Sequence, residues 1–199
     1  MTTRDAMLER IRSALADATP PPAIPRAYRL VSTAGTEARV ALFCERVGEY
    51  KADVRRVSDP AGEIAAVCDG RRMVVPTGLP DAWRPAGLVE DIDLSPHELD
   101  AVDGVVTGCT VAVAETGTIV LTAAPHEGRR AITLVPDLHV CVVEANQIVA
   151  LIPEAIERLG DAARRPLTFI SGPSATSDIE LNRVEGVHGP RTLVVLVVG

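Results

Sequence analysis

The run TLVVLVV at residues 192–198 constrains the fold more than any other segment of the chain. Successive side chains of a β-strand point to opposite faces of the sheet, so a run that is apolar throughout must be covered on both faces. Because only 3% of the residues are aromatic, the surrounding core must consist mainly of Val, Ile, Leu and Ala. We therefore predict that residues 192–198 form a central strand of a parallel sheet covered by helices.

Short apolar runs alternate with helical patterns along most of the chain. Strands are predicted at residues 53–57, 72–76, 88–92, 104–107, 110–114, 118–122, 139–143, 167–170 and 192–198. Helices are predicted at residues 3–18, 36–50, from residue 60, at 96–101 and at 153–159. A tight turn at residues 115–117 predicts an antiparallel hairpin. The fold class that follows is α/β, with an open, mostly parallel sheet flanked by helices and a local antiparallel hairpin.

The N-terminal region reads as an extension of this domain. Met7, Leu8, Ile11 and Leu15 recur at helical spacing, which predicts an amphipathic helix. A proline-rich stretch at residues 19–25 follows and is typical of a stiff, extended linker. We predict a helix and linker over residues 1–25 and one α/β domain over residues 26–199. The helix would contact either the far side of the domain or a partner protein.

Charge and cysteine content exclude several classes of function. The net charge of −7 disfavours nucleic acids and anionic membrane surfaces as partners. Cys44, Cys68, Cys109 and Cys141 are far apart, whereas zinc and iron–sulfur sites usually require closely spaced ligand pairs. We therefore expect no metal site and no cofactor in this chain. With no signal-peptide pattern and no long apolar run, we expect a cytoplasmic protein without membrane insertion.

Residues 169–191 carry the strongest functional signal, because a strand end runs into a hydroxyl-rich turn and then into a helix start. Unpaired backbone N–H groups and the helix dipole favour anions at such a position. The candidate ligand-binding residues of this turn are Ser171, Gly172, Ser174, Thr176 and Ser177. The alternative is that the hydroxyls only cap the helix, since Ser177 and Glu180 have the spacing of a capping box.

The tip of the predicted hairpin offers a candidate catalytic group. Glu115 lies there with Thr116 and Gly117, between apolar strands. A carboxylate that is desolvated at such a tip would have a raised pKa and could act as a base or nucleophile. The alternative is an ordinary solvated turn.

Two further turns contain groups suited to anion binding or proton transfer. Gly128 precedes Arg129 and Arg130, which could clamp an anion together. His188 and Arg191 lie in a Gly-Pro turn directly before the last strand, and His188 is a candidate for proton transfer. A charged surface loop and a structural histidine are the alternatives.

Three sequence blocks resemble the lactate-utilisation protein C family, whose domain is called LUD. They are VAVAETGTIVL, GRRAITLVPDLHVCVV and ISGPSATSDIELNRVEGVHGPRTLVVLVV, and they occur in the order found in that family. The blocks cover the chain from about Gly104 to its end. The resemblance implies a fold like that of the ribose-phosphate isomerase, glucosamine-phosphate deaminase and CoA-transferase group.

The same resemblance implies a role in oxidising L-lactate to pyruvate together with two partner proteins. The iron–sulfur clusters would belong to those partners, and this chain would hold a small anionic ligand. The Gly-Arg-Arg and Ser-Gly-Pro-Ser motifs of the family fall on residues 128–130 and 171–174. In the similar CoA-transferase fold a glutamate near a glycine can be the nucleophile, and Glu115 matches it by analogy alone.

Three hypotheses follow for the function of the chain. The first is a subunit of an L-lactate-oxidising system without its own redox centre. The second is a self-sufficient enzyme of the CoA-transferase or phosphosugar-isomerase kind that uses Glu115. The third is a non-catalytic assembly module in which the N-terminal helix binds a partner.

Overall fold

The computed structural model describes residues 2–16, 24–173 and 189–199. Within these ranges the helices are α1 (Thr3–Ala14), α2 (Thr36–Glu49), α3 (Pro60–Cys68), α4 (Pro96–Asp100) and α5 (Ile152–Leu159). The strands are β1 (Asp53–Val57), β2 (Met73–Val75), β3 (Val89–Glu90), β4 (Gly104–Thr107), β5 (Val111–Val113), β6 (Thr118–Leu121), β7 (Leu138–Glu144), β8 (Ile148–Val149), β9 (Thr168–Ile170) and β10 (Thr192–Val198). Short 3₁₀ turns lie at Asp81–Trp83, Arg130–Thr133, Ala145–Gln147 and Gly160–Arg164.

Six strands form a sheet in the order β1-β10-β7-β4-β2-β3, and each neighbouring pair is parallel. Strand β10 lies between β1 and β7, and its residues 193–197 are buried. The predicted parallel strand with cover on both faces is therefore confirmed, although β10 lies next to the edge strand β1 rather than at the centre of the sheet. The predicted α/β class with a mostly parallel, open sheet is confirmed as well.

A second sheet has the order β8-β5-β6-β9. Strands β5 and β6 form the predicted antiparallel hairpin, with Ala112 opposite Ile119. Strand β8 joins in parallel and β9 in antiparallel orientation. The hairpin is thus part of a separate mixed sheet. Both of its strands are buried throughout, which explains why their sequences are apolar on both faces.

The two sheets and the helices pack as layers. Helix α3 covers one face of the parallel sheet with a core that includes Ile64, Met73, Val140 and Leu196. On the opposite face, α2 and the mixed sheet pack against β7 and β10, with a core that includes Phe43, Val47, Ile119, Cys141 and Val195. Helix α5 covers the outer face of the mixed sheet.

The predicted helix caps are present at α3 and α4. The side chain of Asp59 accepts a hydrogen bond of 3.0 Å from the Gly62 N–H, and Pro60 is the first helical residue. At α4, Ser95 Oγ accepts from the Glu98 N–H, and the Glu98 carboxylate accepts from the Ser95 N–H at 2.8 Å. These contacts satisfy N–H groups that the helix leaves unpaired.

Helix α1 begins at a capping box and ends at Ala14, four residues before its predicted end. It has no buried residue, and Met7, Ile11 and Leu15 are 62%, 48% and 60% exposed. Its apolar face therefore lies open. None of the helices in the described ranges has both the length and the apolar composition needed to cross a bilayer.

A buried histidine in the parallel sheet predicts acid sensitivity. The Nε2 atom of His139 lies 2.8 Å from Thr107 Oγ1, and burial lowers the pKa of His139 to about 4. The folded protein thus keeps this side chain neutral, whereas the unfolded chain binds a proton near pH 6.5. The contribution of His139 to stability is complete above pH 6.5 and is lost as the pH falls towards 4, by up to about 3 kcal/mol.

Denaturant unfolding of the wild type and of His139→Gln between pH 7 and pH 4 measures this effect. The His139→Gln variant should lose less stability over that interval than the wild type. The exposed His97 provides a matched control, because His97→Gln should leave the pH dependence unchanged. Equal pH dependence in the wild type and His139→Gln would contradict the prediction.

Candidate functional site

The hairpin tip lies directly on the C-terminal half of α2. Gly117 has a φ of +60°, and a Cβ atom there would lie 2.8 Å from both the Arg46 carbonyl carbon and the Val47 nitrogen. A glycine is required for two reasons, because the left-handed backbone disfavours other residues and because there is no room for a side chain. Gly117 therefore sets how closely the hairpin approaches α2.

A chain of hydroxyl groups connects the hairpin tip to the end of β9. Thr116 Oγ1 lies 2.8 Å from Thr118 Oγ1, which in turn lies 2.8 Å from Ser171 Oγ. The next residue, Gly172, has a φ of +93°, and a Cβ atom there would lie 2.8 Å from the Tyr50 carbonyl oxygen. The hairpin tip and the turn after β9, two separate candidate segments in the sequence, thus lie together in the structure.

Glu115 adjoins this hydroxyl chain but is not desolvated. Its side chain is 47% exposed and forms an ion pair with Arg29, which belongs to the extended segment before α2. An ion pair this exposed contributes little to stability. The carboxylate therefore remains accessible to a ligand.

Arg129 and Arg130 diverge rather than forming one clamp. Arg129 donates from Nε and Nη2 to the Asp91 carboxylate at 2.7 and 2.8 Å and also donates to the Leu94 carbonyl. This bidentate contact lowers the pKa of Asp91 and ties the connection between β3 and α4 to the turn at Gly128. Arg130 is exposed and lines a cavity.

Of the remaining predicted site residues, Arg191 lies within the described ranges. Arg191 forms an exposed ion pair of 3.0 Å with Asp137, next to the start of β10. Ser174, Thr176, Ser177 and His188 lie outside the described residues.

The cavity that Arg130 lines has a volume of about 190 Å³. Its polar lining consists of Thr122, Glu127, Arg130, Thr133, Arg165 and Thr168. It lies at the opposite end of the β6–β9 pair from the hairpin tip, because Leu121 pairs with Thr168. At about 3.3 Å per strand residue, the two ends are about 10 Å apart. Of the described candidate residues, Thr116 and Ser171 thus lie at one end of this strand pair and Arg130 lies at the other.

Glu127 organises the loop beside this cavity. Its buried carboxylate accepts from Thr110 Oγ1 at 2.6 Å, from the Thr122 N–H at 2.7 Å and from the Ala124 N–H at 2.8 Å. Between these two amides, Ala123 has a φ of +59°, which is unfavourable for an alanine. A buried carboxylate with several donors therefore fixes a strained loop at the cavity wall.

Neither Glu127 nor Arg165 is among the site residues predicted from the sequence. Glu127 directly precedes Gly128 and the two candidate arginines. This position is the sequence signal that could have identified it as a site residue. Arg165 precedes β9, and only the pairing of β9 with β6 brings it to Arg130.

The carboxyl ends of β4 and β7 meet at the Cys109 carbonyl. His126 Nε2 donates to this oxygen at 3.0 Å and Gln147 Nε2 donates to it at 2.7 Å. A hydrogen bond to Cys141, together with burial, raises the pKa of the Cys109 thiol, which makes this buried sulfur a poor nucleophile. Within the described ranges, all four cysteines are free and no three His, Cys, Asp or Glu side chains are placed to hold a metal ion.

The sequence of this chain is similar to a known protein family and to named proteins of other organisms. A family model described as LUD domain matches residues 87–198. A protein of Deinococcus radiodurans named Lactate utilization protein C is 50% identical over 165 residues, which cover 79% of this chain and 78% of that protein. A Bacillus pumilus protein of the same name is 39% identical over 93 residues, and the match spans 43% of this chain and 38% of that protein.

A solved structure supports the fold. The crystal structure of a DUF162 family protein from Deinococcus radiodurans matches with a TM-score of 0.74 and 40% sequence identity. The match covers 83% of this chain and 99% of that chain. The arrangement of layers described above is therefore shared with an experimentally determined structure.

Proposed function

The chain belongs to the LUD domain family, and from this premise we propose that it is a subunit of a cytoplasmic system that oxidises L-lactate to pyruvate. The observation that carries the proposal is the 50% identity to Lactate utilization protein C of Deinococcus radiodurans, across 79% of this chain and 78% of that protein. Two partner proteins would hold the iron–sulfur clusters, and this subunit would bind a small anionic ligand. The wide separation of the four cysteines in the sequence is consistent with that division of roles.

Deletion of the gene tests this function. We expect the deletion strain to lose growth on L-lactate as sole carbon source and to grow normally on glucose. A plasmid copy of the wild-type gene should restore growth on L-lactate. The background must lack other lactate dehydrogenases, and normal growth of the deletion strain in that background would contradict the proposal.

A second candidate is an enzyme that uses Glu115, and the accessibility of that carboxylate beside the hydroxyls of Thr116 and Ser171 favours it. A CoA-transferase would attack a thioester with the Glu115 carboxylate, whereas a phosphosugar isomerase would use it as a base. The same complementation experiment separates this candidate from the first. A Glu115→Gln copy should restore growth if the chain is a binding subunit and should fail if Glu115 performs the reaction.

The exposed face of α1 supports an assembly role within the same system. Met7 and Ile11 form part of an apolar face with no buried residue, and the partner we propose for it is another protein of the lactate system. A full-length copy with Met7→Ser and Ile11→Ser should then fail to restore growth although the α/β domain stays folded. Full restoration would exclude this role for α1.

A further inference from the structure

The cavity at the end of the β6–β9 pair has the charge of an anion site. Arg130 lines it from the turn that follows the Glu127 loop, and Arg165 lines it from the segment before β9. Over the described residues, neither guanidinium forms an ion pair. Two arginines that line one cavity without an ion pair to a described residue can bind a carboxylate or phosphate through charge-assisted hydrogen bonds.

The local charge favours a monoanion. Glu127 also lines the cavity, but its oxygen atoms already accept hydrogen bonds from Thr110, Thr122 and Ala124. The formal charges of one carboxyl and two guanidinium groups in this lining sum to +1. The chain as a whole carries a net charge of −7, which disfavours a more highly charged ligand such as a phosphate dianion.

The size and the walls of the cavity favour a short ligand with an apolar end. Its volume of about 190 Å³ lies below the range of about 300–1,000 Å³ that accommodates drug-sized molecules. Leu121, Ala123 and Pro166 contribute apolar wall, and the half-buried Thr168 contributes a hydroxyl group. A hydroxyl can donate to or accept from an oxygen atom next to the carboxylate.

We propose that this cavity binds a short 2-hydroxy or 2-oxo monocarboxylate. Arg130 and Arg165 contact the carboxylate, Thr168 contacts the oxygen on the adjacent carbon, and the alkyl end lies against the apolar wall. The choice of this acid class rests on the proposed function, whereas the choice of a small monoanion rests on the cavity itself.

Isothermal titration of the purified full-length protein tests the proposal, with L-lactate, pyruvate, propionate and inorganic phosphate as probes. L-lactate or pyruvate should bind at least tenfold more tightly than propionate, which lacks the second oxygen, and than phosphate. Arg165→Gln should weaken binding at least tenfold, whereas the neighbouring and exposed Arg164→Gln, which does not line the cavity, should leave binding unchanged. Thr168→Val should reduce the affinity for L-lactate to that for propionate.

The inference is overturned if neither L-lactate nor pyruvate binds, if phosphate binds most tightly, or if Arg164→Gln and Arg165→Gln have equal effects. Circular dichroism of each variant verifies that the fold is retained. These outcomes are independent of the growth experiment. If the deletion strain fails to grow on L-lactate, the proposed function is supported even when titration shows no binding. Conversely, normal growth of that strain would overturn the proposed function and leave a measured monocarboxylate site in place.

Discussion

Gly117→Ala is expected to lower the free energy of unfolding by about 3–5 kcal/mol. The new Cβ atom would lie 2.8 Å from two backbone atoms of α2, which is closer than such atoms approach in proteins. Those backbone atoms cannot rotate away as the end of a side chain would. Relief therefore requires α2 to move away from the mixed sheet, which opens the core around Phe43 and Val47. Urea denaturation monitored by far-UV circular dichroism measures the loss.

Gly70→Ala is the matched control for this prediction. Gly70 has a φ of +69°, close to the +60° of Gly117, but no atom lies within 4 Å of the position of its Cβ. Both substitutions carry the same backbone penalty and the same change in the entropy of the unfolded chain. Gly70→Ala should therefore cost only about 1–2 kcal/mol. Equal losses in the two variants would show that the contact between the hairpin and α2 does not constrain the fold.

The parallel sheet was predictable because its signals are local. The apolar run at residues 192–198 demands cover on both faces, and the caps at Asp59 and Ser95 mark helix starts within four residues of sequence. The mixed sheet was not predictable in the same way. Strand β8 has two residues and no periodicity, and β9 pairs with β6 across about fifty residues of intervening chain. Such a pairing is decided by packing of the whole core rather than by nearby residues.

The candidate site, like the fold, could be predicted from the sequence only in part. Residue types alone indicated polar roles for Ser171 and Thr116. That the hydroxyl of Thr118 connects them could not be inferred, because this contact depends on the register of β9 against β6. For adjacent arginines the sequence suggested one shared role. In a 3₁₀ turn that begins at Arg130, neighbouring side chains point in different directions, so Arg129 contacts Asp91 while Arg130 faces the cavity.

Glu127 is the clearest case of a residue whose importance appears only in the structure. Its two carboxylate oxygens accept from two hydroxyl groups and from two backbone amides, and all of these groups belong to one end of the β5–β6 hairpin or the loop that follows it. If the carboxylate is removed, the buried amide of Thr122 and the half-buried amide of Ala124 lose their acceptor. Each unsatisfied buried donor costs about 1–3 kcal/mol. The loop also holds Ala123 at a φ of +59°, and this strain is tolerated only while the hydrogen bonds persist.

Glu127→Ala should therefore lower the free energy of unfolding by about 3–5 kcal/mol, whereas Glu157→Ala at an exposed position of α5 should change it by less than about 0.5 kcal/mol. Glu127→Gln separates acceptor geometry from charge. Its amide oxygen can face the Thr122 and Ala124 N–H groups while its NH₂ group donates to Thr110 Oγ1, so we expect a loss of only about 1 kcal/mol. Denaturant unfolding of the three variants measures these differences. If Glu127→Gln is as damaging as Glu127→Ala, the negative charge holds the loop in place, and the hydrogen-bond geometry does not.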